Sequence, residues 1–131
     1  MSDLLHEAGH LALIPGRFRP GMNGDLSDGF TVMFKALDAL DLPPDDPLSR
    51  AALQCSDPEA TAWAWAAGTA LGLPPETIIT DDQYDGEGAS IRQMLSMRLY
   101  LGIHGLIHAG LCLPPRNPGG FPALTRWLQD W

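Results

Sequence analysis

Within Leu4-Leu5-His6-Glu7-Ala8-Gly9-His10-Leu11-Ala12, two histidines stand four positions apart and a glutamate follows the first directly. Residues at i and i+4 share one face of an α-helix, so His6 and His10 can offer two imidazole nitrogens to a single ion. Glu7, one step round from His6, is placed to polarise a water on that ion as general base. The chemistry to which this spacing points is zinc-assisted hydrolysis. A catalytic zinc takes three ligands from the protein and keeps a fourth position for water, so the chain must supply one more. Glu59 is the first candidate. Asp81, Asp82, Asp85 and Glu87, in the acidic stretch before the next helix, compete for the role. A glutamate in a first helical turn is also favoured by the helix dipole alone, with no ligand duty.

These side chains need two helices to carry them. At about 100° per residue, Leu4, Leu5, Ala8, Leu11 and Ala12 gather into one apolar arc, with His6 and His10 roughly opposite. Gly9 leaves room for another element to approach, Ser2 or Asp3 can cap the start, and Pro15-Gly16 ends the helix after Ile14. A second helix is expected from Pro58 to Leu71, with Asp57 as N-cap, Pro58 first in the helix and Gly72 and Pro74 as the stop. Ala62, Ala66 and Ala70 form a small-residue ridge on it, which would let the two helices close and bring Glu59 against the His6/His10 face. A helix over Phe30 to Leu40 lies between them.

The remaining histidines, His104 and His108, are also four apart, in an apolar run from Ser90 to Gly110 that reads as one buried helix. Interior, neutral, hydrogen-bonded rings are the plain expectation there. The alternative makes one of them a hydrogen-bond donor to a developing oxyanion, with Tyr84 and Tyr100 as rival donors. Arg17 or Arg19 is placed to bind a substrate carboxylate. Gly102, Gly105 and Gly110 permit close packing, including against a second copy of the chain in a homo-oligomer.

A length of 131 residues fits a single domain over 1–131, with 114–131 as a C-terminal arm that ends in an amphipathic turn around Trp127 and Trp131. The 14 glycines and 12 prolines cut the chain into short helical pieces. Thr77 to Thr80 is the best β-branched run, a short strand or an extended link. The fold class expected is therefore mainly α, with little or no β-sheet. A net charge of -8 without any run of Lys or Arg argues against nucleic acid or an anionic membrane as partner, and favours protein or a small molecule. No apolar run reaches membrane-spanning length and no basic leader opens the chain. Cys55 and Cys112 lack metal-ligand spacing and read as single buried or half-buried thiols of a reducing compartment, so a cytoplasmic location is expected.

HEAGH, followed downstream by Glu59-Ala60-x-Ala62-Trp63-Ala64, resembles the zincin-like HExxH metallopeptidases of the ImmA/IrrE type. The likeness covers the first helix and the Glu59 helix. It implies a compact zincin-like helical domain, Zn²⁺ held by His6, His10 and Glu59, Glu7 as the base, and a peptide or protein substrate. Two departures stand out. No strands precede the motif here, which argues against substrate binding by strand addition, and the segment from His10 to Glu59 is longer than in the family pattern. Three expectations are open: a zinc-dependent metallohydrolase acting as a peptidase, a catalytically inactive zincin-like binding or regulatory module with Trp63 and Trp65 lining its interface, or a metal-free helical domain in which HEAGH is coincidence.

Overall fold

A computed structural model describes residues 2–53 and 55–130 of the chain. Eight helices and no strand occur among them, in accord with the mainly α expectation. They are α1 (Ser2–Leu13), α2 (Leu26–Leu40), α3 (Pro47–Leu53), α4 (Asp57–Ala70), the single turns α5 (Pro75–Ile78) and α6 (Gln83–Gly86), α7 (Gly88–Ser96) and α8 (Gly102–His108).

The centre of the molecule is α4. Its alanines favour the helix and present no long side chains, so neighbours can approach from several directions. Every residue from Ala60 to Gly68 is buried. An element apolar on all sides belongs inside a fold, and α1 and α8 both pack against this one. The expected boundary shifts by one residue, since Ser56 is the N-cap and Asp57 and Pro58 open the first turn. At the other end Gly72 takes φ +75, and the amides of Gly72 and Leu73 donate to Thr69 O and Gly68 O, both at 3.0 Å. That pair of bonds is a Schellman stop, for which glycine costs least.

Gly9 sets the spacing of α1 against α4. A Cβ built there would lie 2.5 Å from the Ala60 carbonyl oxygen and 3.0 Å from its Cα, so no side chain fits. The contact is the close approach read from the sequence, with Ala60 as its partner and not the Ala62/Ala66/Ala70 ridge. The buried side of α1 is formed by Leu5, Gly9, His10, Ala12 and Leu13, while Leu4 is exposed. The His10 edge of the helix is thus covered, because Phe30 of α2 lies edge-on to its ring at 5.7 Å.

Two expectations need correction, the single helix over Ser90 to Gly110 and the interface role of Trp63 and Trp65. The run from Ser90 to Gly110 is broken, because Arg98 adopts φ 61 and the Arg98 and Leu99 amides turn back to Leu95 O and Met94 O. Consequently His104 and His108 ride on the short, separate α8 and are exposed, not interior. Of the two readings of Thr77–Thr80, the strand does not form: Ile78 closes α5 and Ile79 continues as an extended link. The segment from Pro114 has no helix among its described residues, and Trp131 lies outside them. It is fastened to the body by a buried Phe121, by Trp63 Nε1 donating to Trp127 O at 2.9 Å, and by the Gln129 amide donating to Ala12 O at 2.8 Å. Trp63 and Trp65 are core residues, so neither offers an interface.

Because the obstacle at Gly9 is backbone, Gly9→Ala should cost about 1–3 kcal/mol of unfolding free energy, as overpacking generally does. Gly24→Ala, where a Cβ meets nothing within 4 Å, is the control and should stay within about 0.5 kcal/mol of wild type. Urea titrations of the two variants would show the difference, and equal midpoints would contradict the close approach.

Candidate metal centre

Helix α1 brings His6 and His10 onto one edge, with ring centroids 4.8 Å apart. The start of α4 lies against that edge because Gly9 lets it. The carboxylate that arrives there belongs to Asp57. Its Oδ1 is 3.2 Å from His6 Nε2 and 2.9 Å from His10 Nε2, and the three ligand atoms all lie within 4.8 Å of one another. Among the described residues this is the only group of histidine, cysteine and carboxylate side chains with such convergence.

The two rings are held differently. His10 is buried and its Nδ1 is 2.7 Å from the Cys55 carbonyl oxygen, which can only accept, so the proton sits on Nδ1 and is donated there. In the neutral ring, Nε2 therefore carries a lone pair aimed at Asp57 Oδ1. Two acceptors at that separation repel unless a proton or a cation lies between them. A histidine oriented through its far nitrogen by a backbone carbonyl is the usual support of a metal ligand. His6 is held by hydroxyls: its Nδ1 is 2.9 Å from Tyr84 Oη and 3.4 Å from Thr61 Oγ1, which are themselves 2.7 Å apart. Tyr84 reaches this position from a turn in which it and Asp85 both adopt left-handed backbone, φ 56 and 58. Such angles are unusual for residues with side chains and persist where surroundings enforce them.

Electrostatics agree with the geometry. Burial acts to raise the Asp57 carboxyl pKa, but with the His6 and His10 rings protonated, an Nε2–H filling the gap to Oδ1 where a cation otherwise would, their hydrogen bonds and charges outweigh burial and hold it below the ordinary carboxylate value. Its side chain stays open to solvent, 76% exposed. Burial raises the Tyr84 pKa, with the Thr61 hydrogen bond opposing, so its hydroxyl is protonated at neutral pH.

Glu59 is not in the cluster. Its carboxylate accepts from Ser56 Oγ, and its side chain packs where a Cβ on Gly105 of α8 would collide with it. Ser56 at N-cap and Glu59 three residues on match the S-x-x-E pattern by which a glutamate folds back on its own helix start. That pattern was present in the sequence and marks Glu59 as a helix-start residue, with Asp57 the acid left over. The competing acids are also elsewhere: Asp81 pairs with Arg92, and Asp82 accepts from Thr80 Oγ1 at 2.6 Å. Arg19 is spent on structure, donating to Leu11 O, Ile14 O and Gln129 O.

Two clefts flank the cluster. One, of about 420 Å³, is lined by Asp3, His6, Glu7, Asp82, Gln83 and Tyr84, so the exposed Glu7 faces the same space as His6. The other, of about 350 Å³, opens from His10 and Asp57 onto Phe30, Phe34, Ala52 and Leu53. Of the suggested oxyanion donors, Tyr84 is beside His6 but engaged with it, while His104 and His108 line neither cleft. Comparison with known protein families, with curated proteins and with solved structures finds no match to this chain.

The cysteines take no part as thiolates. Burial, with the Glu59 charge adding and Arg19 opposing, pushes the Cys55 thiol up to about 12, and burial pushes Cys112 to about 11. Both therefore stay protonated at pH 8, where a thiol-specific disulfide reagent should label neither in the folded protein and both after unfolding. Rapid labelling of the folded chain at pH 8 would contradict their burial.

Proposed function

We propose that the chain is a zinc-dependent hydrolase acting on peptide bonds, with His6, His10 and Asp57 as the ligand set. The observation that supports this most is the His10 ring, committed through Nδ1–H to Cys55 O, so that in its neutral form the other nitrogen faces a carboxylate with a lone pair that a cation would satisfy. Two of the three edges support zinc: with Zn–N and Zn–O near 2.0–2.2 Å, tetrahedral ligands stand roughly 3.3 Å from one another, near the 2.9 and 3.2 Å from Asp57 to the two rings, and the set, spread within 4.8 Å, would draw together around the ion. When bound, zinc would act as Lewis acid and bring the pKa of water at the site down to about 7. The protein's own residues then divide the work. Glu7, open to the cleft beside His6, takes the proton of the attacking water and returns one to the leaving amine. Tyr84 and Thr61 hold His6 by its Nδ1, and the Cys55 carbonyl holds His10. Unpaired buried thiols support a reducing, cytoplasmic setting, and no described helix is long and apolar enough to cross a membrane.

A second reading keeps the ion and omits turnover, as a binding or regulatory module. It is favoured by the engagement of Tyr84 with His6 and Thr61, which leaves no free oxyanion donor assigned, and by the lack of any strand among the described residues to align a peptide.

Metal analysis of tag-free protein after zinc addition and desalting should give one equivalent, and less than a tenth of one would overturn both readings. Asp57→Ala should weaken zinc by more than the roughly 10–100-fold that loss of a supporting partner costs, whereas Glu59→Gln should retain it. Loss on Glu59→Gln with retention on Asp57→Ala would reverse the ligand assignment. Glu7→Gln should keep the metal and lower peptide hydrolysis by about 10²–10⁴-fold, the usual worth of a general base. A wild-type protein that binds zinc and cuts no member of a peptide library supports the second reading.

A further inference from the structure

The second cleft is built largely by residues outside the two helices that carry the candidate ligands. Phe30 and Phe34 come from α2, Ala52 and Leu53 from the end of α3, and only Cys55, Ser56, Asp57 and His10 belong to the metal centre and its approach. Helix α2 is amphipathic, yet it buries only Gly29 and Met33 completely. Phe30 is half-buried against His10, and Phe34 and Leu53 stay open at 40% and 65% exposure. Large apolar side chains left exposed around a concavity of about 350 Å³ form a pocket, within the range of roughly 300–1,000 Å³ typical of small-ligand sites.

We propose that this cleft is a specificity pocket that receives one large apolar side chain, aromatic or branched aliphatic, of the substrate whose scissile bond lies at the His6/His10/Asp57 centre. The proposal rests on the hydrolase reading of that centre and names its substrate class. Continuity identifies the occupant. His10 and Asp57 line the same pocket, so a group seated on Phe30 and Phe34 is adjacent to whatever the centre holds. The opposite cleft is the contrary environment, with Asp3, Glu7 and Asp82 on its walls and little to offer an apolar group. The carboxylate of Asp57 on the pocket wall, with the chain's net charge of -8, also disfavours an acidic side chain in the pocket.

Hydroxamates that chelate zinc separate the pocket from the centre. Calorimetry on the zinc-loaded protein should show a benzyl-bearing hydroxamate binding at least about tenfold more tightly than acetohydroxamate, the gain expected from burying one aromatic side chain. In Phe34→Ala/Leu53→Ser, both positions being exposed enough to change without disturbing the core, that ratio should fall below about threefold while acetohydroxamate affinity is unchanged. Equal affinities in the wild type, or an unchanged ratio in the variant, would overturn the pocket and leave the hydrolase reading standing. Absence of zinc uptake, or of any acetohydroxamate binding to zinc-loaded protein, would overturn the hydrolase reading and the substrate role of the pocket with it.

Discussion

The close passage of α1 over the start of α4 governs the rest of the structure. Two backbones can come within van der Waals contact there because Gly9 has no side chain and Ala60 opposite it is small. The histidines lie three residues before and one after that point, so the same contact that joins the helices carries both rings to the first turn of α4. Closer packing would collide with backbone, and a wider gap would strand the Asp57 carboxylate beyond reach of either ring. The His6/His10/Asp57 cluster is therefore a by-product of helix packing, made by the core and not by a loop.

Around that junction the supporting parts come from different levels of the fold. Local backbone supplies the Cys55 carbonyl for His10, just ahead of α4. A remote turn supplies Tyr84 for His6, reaching in by way of two left-handed residues. Helix α2 supplies the aromatic cover over His10 and, with α3, the apolar cleft. Helix α8 lies along another side of α4, where Gly102 and Gly105 let it meet Pro58 and Glu59. The tight glycine face of α8 is accordingly used within the chain.

Much of this was legible in the sequence. The helix of His6 and His10, the alanine-rich helix, the close approach at Gly9 and the lack of sheet among the described residues all follow from periodicity, capping signals and one small residue. The carboxylate that reaches the two histidines is Asp57, two positions from the Glu59 expected there, for a local reason. Asp57 and Glu59 occupy the same first turn, and helix propensity alone does not say which acid serves the helix and which faces outward. The Ser56–Glu59 pairing does. The break at Arg98 was invisible because the pattern Met94-Leu95-Ser96-Met97-Arg98 continues a helix well, and a left-handed arginine carries no compositional mark. The cover over His10 is a tertiary effect of α2, which no window on α1 reports.

Both nitrogens of the His10 ring are served by one stretch of three residues, the carbonyl of Cys55 on one side and the carboxylate of Asp57 on the other. Cys55 leads into α4 and Asp57 opens it, so the link between them sets the distance between the two partners of one imidazole. An inserted or deleted residue at position 56 would part those partners and release the ring from one of them.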